Sequence, residues 1–228
     1  MTSDAALGRG SLGPASSAVL GRRRVVGVVA IVEAVVLLVV ALLGDRITRP
    51  VTVTLGNTAT RTLSHVDLGI AMVVVVGLVG VAGVIPRRWA GAVDPLLTTP
   101  ITVFVVAQAN GVRDIGALVG VYALASAGVL FAVVQERARR RADGPRSRVP
   151  LGLGSAVGIV PWGIIALHQV GAGFVGHPLP GAVVLVTLAA LVFAIGEFVA
   201  TWRDRGPAAF VLRAVGLSVV AWLVVLAL

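Results

Sequence analysis

Glu33, Asp94, Glu197 and Arg213 interrupt apolar runs of a 228-residue chain, and they are the groups best placed to do chemistry. An ionised side chain at the centre of a membrane helix costs about 2.5 kcal/mol or more, so each needs a partner, hydration or a function. Such carboxylates can accept protons, line an ion path or balance a buried cation. Arg213 can pair with Asp94 or Glu197. In the competing arrangement it snorkels to the headgroups while Asp94 sits at a helix start, where a carboxylate favours the amide dipoles. Glu33 has no obvious partner in the sequence. The nineteen basic residues are all arginine, so no side chain can form an imine and only the α-amino group remains. Cysteine is absent, and His168 and His177 are too isolated to suggest a metal site. With no nucleophile–base pair and no phosphate-binding glycine loop, an enzyme is not expected.

The elements that must hold these groups are membrane helices. A composition 57% hydrophobic and a mean hydropathy of +1.01 exceed what a soluble domain can hide inside itself. Residues 1–21, rich in Gly, Ser and Ala, read as a disordered tail, and residues 22–228 as one membrane domain. Apolar runs predict seven helices at about 25–43, 67–85, 90–109, 114–134, 150–170, 181–201 and 208–228. The first run is too long for a signal-peptide core and lacks a small-residue cleavage site. Val51–Asn57 alternates β-branched and polar residues before a turn and predicts a short two-stranded ribbon in the first loop. Ser64 to Asp67 reads as a capping box opening the second helix, and Asp114 as the cap of the fourth. Pro86 to Trp89 make a turn with an interfacial tryptophan, and Pro100 is expected to kink the third helix. The pairs Gly116/Gly120 and Gly154/Gly158 permit close helix approach, inside the bundle or at a homodimer face.

Arginine placement orients the bundle. Arg9, Arg22, Arg23, Arg24, Arg87, Arg88, Arg137, Arg139, Arg140, Arg141, Arg146, Arg148, Arg203, Arg205 and Arg213 fall on one side; Arg46, Arg49, Arg61 and Arg113 fall on the other. The positive-inside rule makes the N-terminus cytoplasmic and the C-terminus external, in a multi-pass protein of the cell membrane. Charge confined to short loops beside apolar spans is an orientation pattern, not a nucleic-acid groove. The arginine-rich loops are expected to meet anionic lipid headgroups, and the loop from Glu136 to Val149 could also receive a cytoplasmic protein partner. At 1.5 Å per residue, Glu33 and residue 217 lie about 12 Å deep from that side, Asp94 and Arg213 about 7 Å, and Glu197 about 6 Å.

Several blocks resemble the heliorhodopsins, microbial-rhodopsin relatives of inverted orientation. They are Ala107-Gln108, then Gly111-Val112-x-Asp114-Ile115-x-Ala117-Leu118, Leu130-Phe131 and Gln135-Glu136-Arg137; Gly154-x-x-x-Gly158-Ile159-Val160-Pro161-Trp162; Pro180-Gly181; and Ser218 through Ala221-Trp222. They occur in the family's order. The resemblance implies an all-α, seven-helix rhodopsin-like bundle with a strand-bearing first external loop, and dimerisation. It implies a retinal Schiff-base lysine immediately before the serine, a position held here by Leu217. The family's third-helix counterion glutamate falls on Asp94, its first-helix histidine on Ala30, the glutamine one turn later on Glu33, and its second-helix histidine near Gly83. Trp162 and Ser218 complete the pocket-like set.

The expected function is therefore that of a heliorhodopsin-like protein with no covalent retinal and no other cofactor, sensory, regulatory or ligand-binding rather than a light-driven pump. The alternative is an ion or small-solute transporter using Glu33, Asp94 and Glu197. Its weakness is an external half almost without intramembrane polar residues.

Overall fold

The computed structural model of the chain describes residues 14–56, 59–85, 93–141 and 147–228. Within them seven helices and one two-stranded sheet follow in order: α1 (Pro14–Leu43), β1 (Thr48–Leu55), β2 (Ala59–Asp67), α2 (Leu68–Val84), α3 (Val93–Ala109), α4 (Ile115–Arg141), α5 (Val149–Phe174), α6 (Gly181–Trp202) and α7 (Gly206–Ala227). Sequence neighbours pack side by side, with α5 and α6 touching only sparsely, and α7 closes the ring against α1 and α2. Helix α3 reaches α2, α4, α5 and α6, which places its residues at the centre. Val105, Val106, Ala107 and Gln108 are accordingly almost wholly buried.

Five helices, all but α2 and α3, are long and apolar enough to cross a membrane; α2 and α3 have 17 residues each. Apolar side chains on the outside of the helices, such as Val29, Leu42, Ile159, Leu167 and Val192, are what a lipid-facing surface requires.

Several boundaries differ from expectation. Helix α1 begins at Pro14, so residues 14–21 are helical rather than part of a disordered tail; residues 1–13 lie outside the described residues. Helix α4 continues to Arg141 instead of ending near Val134, because arginines can ride on a helix that has left the bilayer. Helix α5 runs on to Phe174, where Gly176 takes φ 78°. Helix α3 starts at Val93 and passes through Pro100 unbroken. The turn at Pro86 to Trp89 lies outside the described residues.

The expected capping box is replaced by a simpler cap. Ser64 belongs to strand β2, while Asp67 is the N-cap and accepts from the Ile70 amide at 3.1 Å. The expected cap at Asp114 is present, its carboxylate accepting from the Ala117 amide at 3.0 Å. The α3–α4 turn just before it closes with two backbone bonds, Gly111 N to Gln108 O and Val112 N to Ala107 O, both 3.0 Å. Gly111 at φ 88° supplies the left-handed residue this helix ending needs.

The ribbon is antiparallel, from Thr48 opposite Asp67 to Leu55 opposite Ala59, with a register shift between Val51 and Thr52. It is tied to the bundle where the Thr52 amide donates to Arg113 O at 2.8 Å. Ribbon and α3–α4 turn thus share one end of the molecule. The arginine-bearing ends of α1, α4 and α6 and the starts of α5 and α7 share the other.

Helices α1 and α2 cross through glycine. A Cβ built on Gly83 would lie 2.5 Å from Gly27 Cα, and one on Gly80 would lie 2.7 Å from the Ile31 side chain. Gly154 makes the same kind of contact between α5 and α4, where a Cβ would sit 2.8 Å from Phe131 and 3.1 Å from Gly128 O. Gly158 faces Gly128 across that seam, whereas a Cβ on Gly120 would meet nothing within 4 Å.

Candidate functional site

Helix α7 carries the site on two adjacent faces. Arg213 and Leu217 are one turn apart on one face, and Ser218 and Trp222 on the next, about 100° around the helix. The first face meets α3. The Arg213 guanidinium donates to Asp94 Oδ2 at 2.5 Å, with side-chain exposures of 11% and 3%. Of the two arrangements open to Arg213, the structure contains the ion pair. Both groups keep to the arginine-rich half, because Asp94 lies in the first turn of α3 and Arg213 in the second of α7. Glu197 on α6 is near enough to feel both charges, so it is the third member of the cluster although it makes no direct bridge. Arg23 on α1 acts on Asp94 from the other side while donating to Ala82 O at 2.8 Å, closing the end of α2.

The second face meets α1, and here the expectation fails. Glu33 is not without a partner: its Oε1 accepts from Ser218 Oγ and, at 2.9 Å, from Trp222 Nε1. Two donors spaced i, i+4 on α7 converge on one carboxylate oxygen. Charge-assisted bonds of this kind are worth about 1.5–3 kcal/mol each, enough to hold a half-buried glutamate among apolar helices.

Leu217, one turn beyond Arg213 on the first face, is packed into the core at 7% exposure. Gly216 beside it admits Phe193 of α6 so closely that a Cβ would be 2.5 Å from the Phe193 Cβ. Trp162 of α5 is partly buried and packs against the core. On α3, Thr98 and Thr102 turn their hydroxyls back to the carbonyls of Asp94 and Thr98, both at 2.8 Å, consuming their own hydrogen bonds.

Ala30 is buried on α1 at 7% exposure, and a Cβ on Gly83 would meet the α1 backbone at Gly27. Among the described residues no group of three or more His, Cys, Asp and Glu side chains gathers as metal ligands do.

The heliorhodopsin family model matches residues 83–227, from the end of α2 through α7. The chain belongs to the heliorhodopsin family. No curated protein sequence matches it. Membership makes this a rhodopsin-like, multi-pass membrane protein of a photoreceptor-type family rather than an enzyme family. The Arg213–Asp94 pair and both donors to Glu33 lie within the matched part of the heliorhodopsin fold; Glu33 itself comes from the unmatched α1.

One family block also acquires a structural job. Gln135, 6% exposed, donates from Nε2 to Ser147 O at 2.8 Å and accepts the Leu151 amide on Oε1 at 3.4 Å. It caps the first turn of α5 from the end of α4, a role that residue type and spacing alone do not disclose.

Proposed function

We propose that this heliorhodopsin works without covalently bound retinal, as a sensory, regulatory or ligand-binding membrane protein. Its N-terminus is cytoplasmic and its arginine-rich end faces anionic headgroups. The observation that carries the reading is that the chain has no lysine, with a buried leucine, Leu217, at the position the family resemblance implies for the Schiff base. The residues around it do not fit a covalent retinal, since the nearest cation on its face, Arg213, is already bonded to the carboxylate aligned with the family's counterion. Further support comes from the way polar groups on α7 join it to α1 and α3, so that this helix is located by hydrogen bonds and one ion pair. The transport reading draws on the same carboxylates. It is weakened because Asp94, Glu197 and Glu33 all serve one half of the bundle, and beyond them α7 continues with Val220, Ala221 and Val224, all buried and apolar. Homodimers and a cytoplasmic protein partner belong to this proposal as well.

The test is to add all-trans-retinal to the purified protein and record its absorption, with borohydride treatment and a Leu217→Lys variant alongside. Wild type staying at the free-retinal band while the variant moves into the visible fits the proposal. A visible band in wild type that borohydride bleaches would overturn it.

A further inference from the structure

Three helices of this bundle end in the same backbone motif. After α3 the left-handed residue is Gly111 at φ 88°, and after α5 it is Gly176 at φ 78°, with His177 N bonded to Ala172 O at 2.9 Å. After α6 it is Asp204 at φ 58°, with Arg205 N bonded to Ala200 O at 2.8 Å and Asp204 N to Thr201 O at 3.1 Å. Among the described residues Asp204 is the one non-glycine with positive φ. A side chain at this position is strained where glycine is not, so it is expected to do something glycine cannot.

The Asp204 carboxylate joins two arginines from the neighbouring hairpin. Oδ1 accepts from Arg139 at 2.8 Å, near the end of α4, and Oδ2 lies 3.9 Å from Arg148, the N-cap residue of α5. Arg139 also lies 3.6 Å from Glu136, one turn back. The Arg148 guanidinium stacks over the Trp202 ring at 5.2 Å, which fixes it at the level where α6 leaves the apolar layer. Arg137, Arg203 and Arg205 stand exposed nearby. Below the cluster runs the seam where α5 and α6 touch only sparsely.

We infer that Arg139 and Arg148 form a binding site for the phosphate of an anionic phospholipid headgroup, with the Asp204 carboxylate as a built-in occupant that the headgroup displaces. Two guanidiniums held on either side of one carboxylate match two oxygens of a phosphodiester equally well. The partner is a lipid because the site sits at the interfacial level marked by Trp202, beside the seam where α5 and α6 touch only sparsely. The inference rests on reading this end of the bundle as lying at a membrane surface, but not on which side of the membrane that is.

Nanodiscs make the test independent of orientation, because both leaflets then carry the same lipid. Melting is measured in phosphatidylcholine and again with phosphatidylglycerol included. The wild type is expected to gain about 2–4 °C from phosphatidylglycerol. Arg139→Gln with Arg148→Gln should abolish the gain, Arg203→Gln with Arg205→Gln should keep it, and Asp204→Gly should enlarge it by removing the internal competitor. Equal loss in both arginine pairs would mean a diffuse basic surface and would overturn the assignment, as would an unchanged gain in Asp204→Gly. Inorganic phosphate giving the same gain in phosphatidylcholine would show a soluble-phosphate site and refute the lipid as its ligand. A wild type with no gain at all would sink the site while leaving the retinal proposal untouched.

Discussion

The two faces of α7 solve the same physical problem in opposite ways. Toward α3, a full positive charge meets a full negative one and the two cancel, at 2.5 Å and nearly out of reach of solvent and lipid. Toward α1, the Glu33 carboxyl group meets the neutral donors of Ser218 and Trp222. An ion pair stabilises only while both members are present; a dipole-solvated carboxylate tolerates loss of charge so long as an acceptor remains. The α3 face is therefore brittle and the α1 face adjustable, and a response to a ligand or a signal can be sought at Glu33 before Arg213.

Breaking the ion pair should give the largest effect. Arg213→Leu takes the bonded cation away from a buried Asp94, at a cost of about 3–5 kcal/mol in reversible unfolding. Adding Asp94→Leu to that variant should return most of the stability, because two leucines leave no orphaned charge. A single variant that melts like wild type would remove the contrast between the faces. On the α1 face, Glu33→Leu strands the Trp222 N–H and the Ser218 hydroxyl and should cost about 2 kcal/mol. Glu33→Gln preserves an acceptor and should stay within about 1 kcal/mol of wild type. If glutamine proved as damaging as leucine, charge rather than hydrogen bonding would hold the α1 face. Least affected should be Arg139→Gln in phosphatidylcholine, where the surface bridge to Asp204 is worth about 1 kcal/mol at most.

Much of this site is legible in the sequence. Counting depth along the helices puts Asp94 and Arg213 at the same level, and residues of opposite charge at one level in an apolar bundle have strong reason to meet. Asp114 as a cap and the alternation in Val51–Asn57 follow from local rules that tertiary packing does not override. The partners of Glu33 are not legible, because a Trp N–H and a Ser hydroxyl on a far helix leave no mark on the sequence around residue 33. Hydropathy ends α4 too early, because it reports where a bilayer ends and not where a helix does. Glycine spacing points to Gly116 and Gly120, but the closest crossing uses Gly27 against Gly80 and Gly83; which glycines meet depends on helix rotation, which spacing does not encode.

That crossing has a consequence for any side chain introduced at residue 83. A histidine there would collide with the main chain of α1, and making room would mean prising the first two helices apart. The contact works as a ratchet: glycine can be lost from this level of α2 only if a whole helix is reseated.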